Sequence, residues 1–167
     1  MDIDVVCTAP GRGVLTWNGH RHEVTLGRSG ARKDKREGDG ASPIGCFPLR
    51  GVFYRPDRMT PPATRLPCAA IAPDDGWCDA PGDPAYNRKV RLPYPASAEH
   101  MWREDELYDL VVVLGHNDDP VVPGEGSAVF LHLARDDRGP TEGCIGVTCA
   151  SALELIAALG PEDRICI

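Results

Sequence analysis

Short apolar runs bounded by turn residues dominate this chain, and several of them alternate. DIDVVC (2–7) and GVLTW (13–17) read as strands around the turn PGRG. HRHEVTLG (20–27) alternates and pairs back on GVLTW across Asn18-Gly19, a dipeptide suited to a two-residue hairpin. The polar, Gly-rich stretch from Arg28 to Gly40 cannot pack a core and reads as a loop, after which CFPLRGVFY (46–54) predicts a strand. LVVVLG (110–115) and SAVFLHLA (127–134) are short, β-branched or aromatic and bounded by turn residues, the pattern of buried strands. Helix is predicted at SAEHMWREDELYD (97–109), with Ser97 as N-cap. A second is predicted at TCASALELIAALG (148–160), with Leu153, Ile156 and Ala157 on one face and Gly160-Pro161 as the stop. DRICI (163–167) predicts a last strand. No internal repeat and no second unit stands out, so the expectation is one α+β domain over 1–167, mostly β, with a few short helices.

Between Pro43 and Pro95 lie 11 of the 16 prolines. Proline lacks the backbone donor, so this region is expected to supply ordered loops walling a cleft rather than central sheet or long helix. The net charge of -7 lacks the positive field that draws a protein to nucleic acid or to an anionic membrane, and neither partner is expected. The N-terminus has no basic start and too short an apolar run for a signal peptide, and no run approaches a membrane span, so the expected compartment is the cytoplasm. The seven cysteines form no CxxC pair, and in a reducing compartment a disulfide framework is not expected.

The chemistry concentrates in HLARDDRGPTEGCIGV (132–147). Cys144 follows a turn and precedes the predicted helix, where a helix N-terminus or an imidazole favours the thiolate. Gly143 allows close backbone approach, and its N–H and that of Cys144 suit a developing oxyanion. His132 ends a buried strand and could be returned beside Cys144. On these residues alone, a core cysteine and a surface histidine explain the pattern as well.

Two ordered segments resemble the L,D-transpeptidase catalytic domain (YkuD-like) family. His132, Thr141, Gly143-Cys144 and Ile145 match its His, spacer, Ser/Thr-His-Gly-Cys signature. Ser42, Pro43, Gly45 and Phe47 match its upstream G-x-[ST]-P-x-G-x-[FY] segment. The chain departs where the family's second His is Glu142, where its Asn or Arg is Gly146, and in a shorter spacer. The resemblance implies a β-sandwich or barrel and an acyl transfer needing no cofactor. Cys144 would attack the diaminopimelate–D-alanine carbonyl of a peptidoglycan stem peptide, with His132 moving the proton. In a cytoplasm holding only precursors and recycled fragments, water is the sensible acceptor. The expected activity is therefore an L,D-carboxypeptidase on a tetrapeptide or muropeptide. L,D-transpeptidation and a non-catalytic muropeptide-binding module stand as alternatives. A papain-like protease places Cys before His, the reverse of the order here.

Further candidates surround this stretch. Arg135 and Arg138 could clamp a substrate carboxylate. Thr141 and Glu142 could shape the pocket, and His116, ending a buried strand, could line it, while Asn117 and Asp118 suit an Asx turn. Zinc on His116, His132 and Cys144 is allowed by residue type but lacks a tight spacing pair, so no metal is expected. His20 and His22 lie on one strand face with no third ligand in view. The run ARKDKREGDG reads as a solvated, mixed-sign loop. Tyr86, Tyr94 and Trp102 default to core packing. The oligomeric state is left open.

Overall fold

The computed structural model describes residues 1–167. β1 (Asp2–Ala9), β2 (Arg12–Trp17) and β3 (His20–Thr25) form an antiparallel meander. Asn18 and Gly19 both take positive φ, 46° and 81°, which matches the strand twist across a two-residue turn. The Gly-rich loop is tied by a short parallel bridge between β4 (Ala31–Arg32) and β5 (Ser42–Pro43). β6 (Cys46–Tyr54) follows, with β7 (Cys68–Ala70) parallel to its end. β8 (Asp75–Cys78), β9 (Lys89–Arg91) and β10 (Ala98–His100) make a separate three-stranded sheet with β8 in the middle. β11 (Leu110–Leu114), β12 (Phe130–Leu133), β13 (Ile145–Val147), helix α1 (Cys149–Ala158) and β14 (Arg164–Cys166) complete the chain.

The large sheet runs β11-β12-β13-β3-β2-β1-β14-β6-β7, and β6 also pairs with β11, which closes it into a barrel. The architecture is mostly β, as expected, with one helix rather than several. Ala152, Leu155 and Ile156 of α1 pack among Ile3, Leu15, Leu26, Leu131, Ile145 and Ile165. A second core joins Val111, Val113 and Phe130 to Trp77, Met101 and Tyr108, bridging the barrel wall and the small sheet. Strand side chains alternate in direction. Leu131 and Leu133 therefore enter the first core, while Phe130 enters the second and His132 stacks edge-on against Tyr108 on the same side.

Several expectations are corrected. The 97–109 segment is not helical. Ala98–His100 pair with Cys78, Trp77 and Gly76, and Met101 is fully buried, so sheet pairing and burial override local helix preference. The buried face of α1 is Ala152, Leu155 and Ile156, whereas Leu153 is exposed; the two faces share Ile156, and the barrel selects the one carrying Leu155. The Pro-rich region does contribute a central strand, β6. Pro48 sits where that strand passes from β14 to β11, and its carbonyl accepts the Gly115 N–H at 2.8 Å. Cys46 and Cys166, register partners across β6 and β14, form a disulfide that spacing alone did not indicate. No helix is long and apolar enough to cross a membrane.

Candidate active site

Cys144 precedes β13, and β13 lies parallel to β12 with His132 opposite Gly146. Two residues back along both strands, Cys144 falls beside Phe130. The Phe130 N–H donates to its Sγ at 3.4 Å and the thiol donates to the Ala128 carbonyl at 3.2 Å. Because His132 is on the same face as Phe130, the thiol and the imidazole line one cavity of about 340 Å³. Strand β13 intervenes between Cys144 and α1, so the helix N-terminus does not reach the sulfur, contrary to expectation.

Electrostatics favour a neutral resting pair. Burial pushes the Cys144 thiol up to about 12, and the nearby Glu99 carboxylate adds to the effect. Burial brings His132 down to about 4. Nδ1 of His132 lies 2.8 Å from the Leu133 carbonyl, which can only accept, so Nδ1 carries the proton and the Nε2 lone pair is free. That tautomer is the one a general base requires.

The turn before Cys144 is built by its own side chains. Thr141 Oγ1 donates to the Cys144 carbonyl at 2.7 Å and accepts the Gly143 N–H at 3.1 Å. Thr141 is thus a clasp within the turn, and the Gly143 N–H is already used. The Cys144 N–H has no hydrogen-bond partner and is the amide available to an oxyanion. Gly143 takes φ 141°, and a Cβ there would stand 2.7 Å from the Ala41 carbonyl. The second family-like segment therefore runs directly against the catalytic turn. Ser42 fixes this approach by accepting the Gly27 N–H at 3.0 Å, while Gly27 bridges to Thr141. A Cβ at Gly146 would clash with Thr25 Oγ1, which explains why this chain holds glycine at that position.

The remaining expected residues divide. Arg135 lines the cavity and is exposed, with no ion-pair partner. Glu142 stands at the rim, turned to solvent, and both its oxygens accept from Arg28 Nε at 3.2 and 3.0 Å. Arg138 does not line the cavity; its backbone turns the loop with φ 55° and its side chain is exposed. His116 does not line it either. Its Nε2 lies 2.9 Å from the Glu125 carbonyl and its ring meets Phe47 edge-on, so it braces the 117–126 loop that Asn117 closes by bonding Val122 and Gly126. His116, His132 and Cys144 are therefore not gathered as a metal set.

Sequence reasoning missed most of the opposite wall. Glu99 on β10, Asp79 after β8, Arg103, Tyr108, Lys35 and Glu37 all line the cavity. Most of these groups already have a partner, the cations in ion pairs and two of the carboxylates in hydrogen bonds from hydroxyls. Lys35, buried in a run expected to be solvated, pairs with Asp39, and Arg103 grips Asp105 through two hydrogen bonds of 2.8 and 2.7 Å. Glu99 accepts from the Tyr108 hydroxyl, and Glu37 accepts from Tyr86 and Ser127. Burial raises Glu99 above the usual carboxylate range and Tyr108 well above the usual phenol. Two charges are left over: the Arg135 guanidinium and the Asp79 carboxylate, whose buried Oδ1 has no partner.

A closed β barrel with a cysteine and a correctly tautomerised histidine in one polar cavity defines an acyl-transfer type of site. The family model of the L,D-transpeptidase catalytic domain (YkuD) matches residues 5–167, and the chain belongs to that family. No curated protein and no solved structure matches it. Membership makes this a cysteine-dependent L,D-transpeptidase-family enzyme whose substrate is derived from peptidoglycan.

Proposed function

We propose that the chain is an L,D-carboxypeptidase that removes the terminal D-alanine from stem tetrapeptides in peptidoglycan recycling. The observation that carries this reading is the shared cavity of Cys144 and His132, with Nδ1 tied to Leu133 and Nε2 open. His132 Nε2 takes the thiol proton as Sγ attacks the carbonyl of the third residue. The Cys144 N–H donates a hydrogen bond to the developing oxyanion. Collapse expels the D-alanine amine, which leaves with the proton from His132. Water, deprotonated by the same nitrogen, then opens the thioester and restores the thiol.

Substrate recognition fits the two unmatched charges. The free end of diaminopimelate carries an ammonium and a carboxylate, and D-alanine adds a second carboxylate. Asp79 suits the ammonium and Arg135 a carboxylate. A cross-linking enzyme must seat two stems, whereas about 340 Å³ is at the small end of ligand sites, which supports water as acceptor. We place the enzyme in the cytoplasm, where such fragments are recycled.

One observation favours a second reading. The Cys46–Cys166 bridge is of a kind that persists in oxidising compartments, where polymerised wall and amine acceptors lie. Under that reading the enzyme is an L,D-transpeptidase. Incubation with a purified disaccharide tetrapeptide, followed by mass analysis, separates them. Loss of one D-alanine supports the carboxypeptidase. Dimers, or exchange with an added D-amino acid, support the transpeptidase. An unchanged substrate counts against both and leaves a muropeptide-binding module.

A further inference from the structure

His20 and His22 alternate along β3, so their rings leave the same face of the hairpin, 6.4 Å apart and nearly parallel. The missing third group comes from helix α1, which crosses this face. Glu154 Oε1 lies 2.9 Å from His20 Nδ1, and its Oε2 lies 3.7 Å from His22 Nε2. One ligand atom from each of the three lies within 4.8 Å of the others. His22 is the anchor. Ser151 Oγ sits 2.9 Å from its Nδ1 and is itself held by the Thr148 hydroxyl at 2.8 Å, which orients the ring from behind. The other nitrogen, Nε2, faces Glu154, is buried and has no hydrogen-bond partner. Trp17 stacks on His20 at 4.8 Å and limits its swing.

We infer that His20, His22 and Glu154 form a site for one divalent cation of the zinc class, independent of the catalytic cavity. Two imidazoles and one carboxylate are ligands that zinc takes, and three protein ligands leave a fourth position for water. Zinc–ligand lengths of about 2.0–2.2 Å put tetrahedral ligand atoms about 3.4 Å apart. The present spacing brackets that value, so closure requires small side-chain rotations and no backbone change. Glu154 is free to serve as a ligand, since it forms no ion pair with Lys or Arg. The cation would rivet the tip of the β2–β3 hairpin to α1, two elements that are adjacent in neither sequence nor sheet order. None of the three residues lines the catalytic cavity, so the cation would take no part in the acyl transfer there.

The test uses untagged full-length protein, stripped with a chelator, in a Cys144→Ala background so that the catalytic thiol does not compete. Calorimetric titration with zinc chloride should show one equivalent bound. The thermal midpoint should rise by about 5–10 °C at zinc a hundredfold above Kd. Cobalt(II) should give the intense visible bands of a tetrahedral site. His22→Ala should abolish uptake. Glu154→Gln, an isosteric change at a partly exposed position, should weaken it at least tenfold while leaving the chelated protein's midpoint unchanged. No uptake by the Cys144→Ala protein overturns the inference. So does uptake that persists in both His22→Ala and Glu154→Gln, which would assign the metal to the remaining cysteines.

Discussion

The two walls of the catalytic cavity differ in origin and in task. The barrel wall comes from one compact stretch, residues 128–144, where β12, a turn and the start of β13 set the thiol and the imidazole on one face. The opposite wall is gathered from distant segments: Lys35 and Glu37 in the Gly-rich loop, Asp79 and Glu99 on the small sheet, Arg103 and Tyr108 beyond it. On the barrel wall burial keeps the thiol and the imidazole neutral at rest. On the other the fold ties Lys35 and Arg103 into ion pairs and Glu37 and Glu99 into hydroxyl hydrogen bonds, and leaves Asp79 without a partner. On the proposed function the first arrangement would serve bond making and the second selection. The contrast teaches that the wall holding the family motif is built locally, whereas the wall facing it is assembled from the rest of the chain.

This division is breakable. Cys144→Ala should abolish D-alanine release, lowering turnover by about 10⁴-fold or more, because no other group can form the acyl intermediate. His132→Gln should lower kcat by about 10²–10⁴-fold with little change in KM. The acid limb of the wild-type kcat/KM profile should then fall near pH 4 rather than near 6.5, since His132 is held down to about 4 by burial. A limb near 6.5 would mean that burial does not hold the working imidazole down.

Variants of the opposite wall should act on the other parameter. Asp79→Asn and Arg135→Gln should each raise KM by about 10–100-fold, the worth of a charged hydrogen bond, with kcat nearly unchanged. Wild-type enzyme given a substrate whose free amine is acetylated should show the same KM penalty, and Asp79→Asn should no longer distinguish the two substrates. If these variants lower kcat and spare KM, the proposed division between the walls fails.

A smaller effect concerns stability. His132 titrates near 4 when folded and near 6.5 when unfolded. The unfolded chain therefore binds the proton first as pH falls, and stability drains between about 6.5 and about 4. From pH 7 to pH 5 the cost is about 2 kcal/mol, and His132→Gln should lack it in paired denaturant titrations. Smallest of all should be Glu142→Gln. Its carboxylate is in solvent, bound to an exposed Arg28, and activity should change less than about threefold. A large loss there would bring Glu142 into the machinery in place of the family's second histidine.

Much of the framework was legible along the chain, because it rests on short-range rules. Asn18-Gly19 specifies a hairpin by permitting two positive φ values, the run from 148 to 160 carries the helix that ends before Gly160-Pro161, and the apolar runs at 110–115 and 127–134 are strands. His132, Gly143 and Cys144 were visible as a motif for the same reason: the turn that joins them is local. The 97–109 segment was misread because its strand depends on β8, which lies about twenty residues away and carries no signal of pairing in its own sequence. His116 and Arg138 lie near the motif in sequence yet turn elsewhere, since one braces a loop and the other spends its backbone on a tight bend.

Sequence by itself thus determined the β-rich framework and the motif that holds His132 and Cys144, all matters of period, turn geometry and side-chain chemistry. Tertiary structure alone decided which imidazole nitrogen is free, which charges find partners, that Cys46 meets Cys166, and that Glu154 completes the pair of histidines on β3. The physical reason is distance. A period or a turn is fixed by neighbours a few residues apart, whereas burial and charge pairing depend on groups that only closure of the barrel brings within a few ångströms.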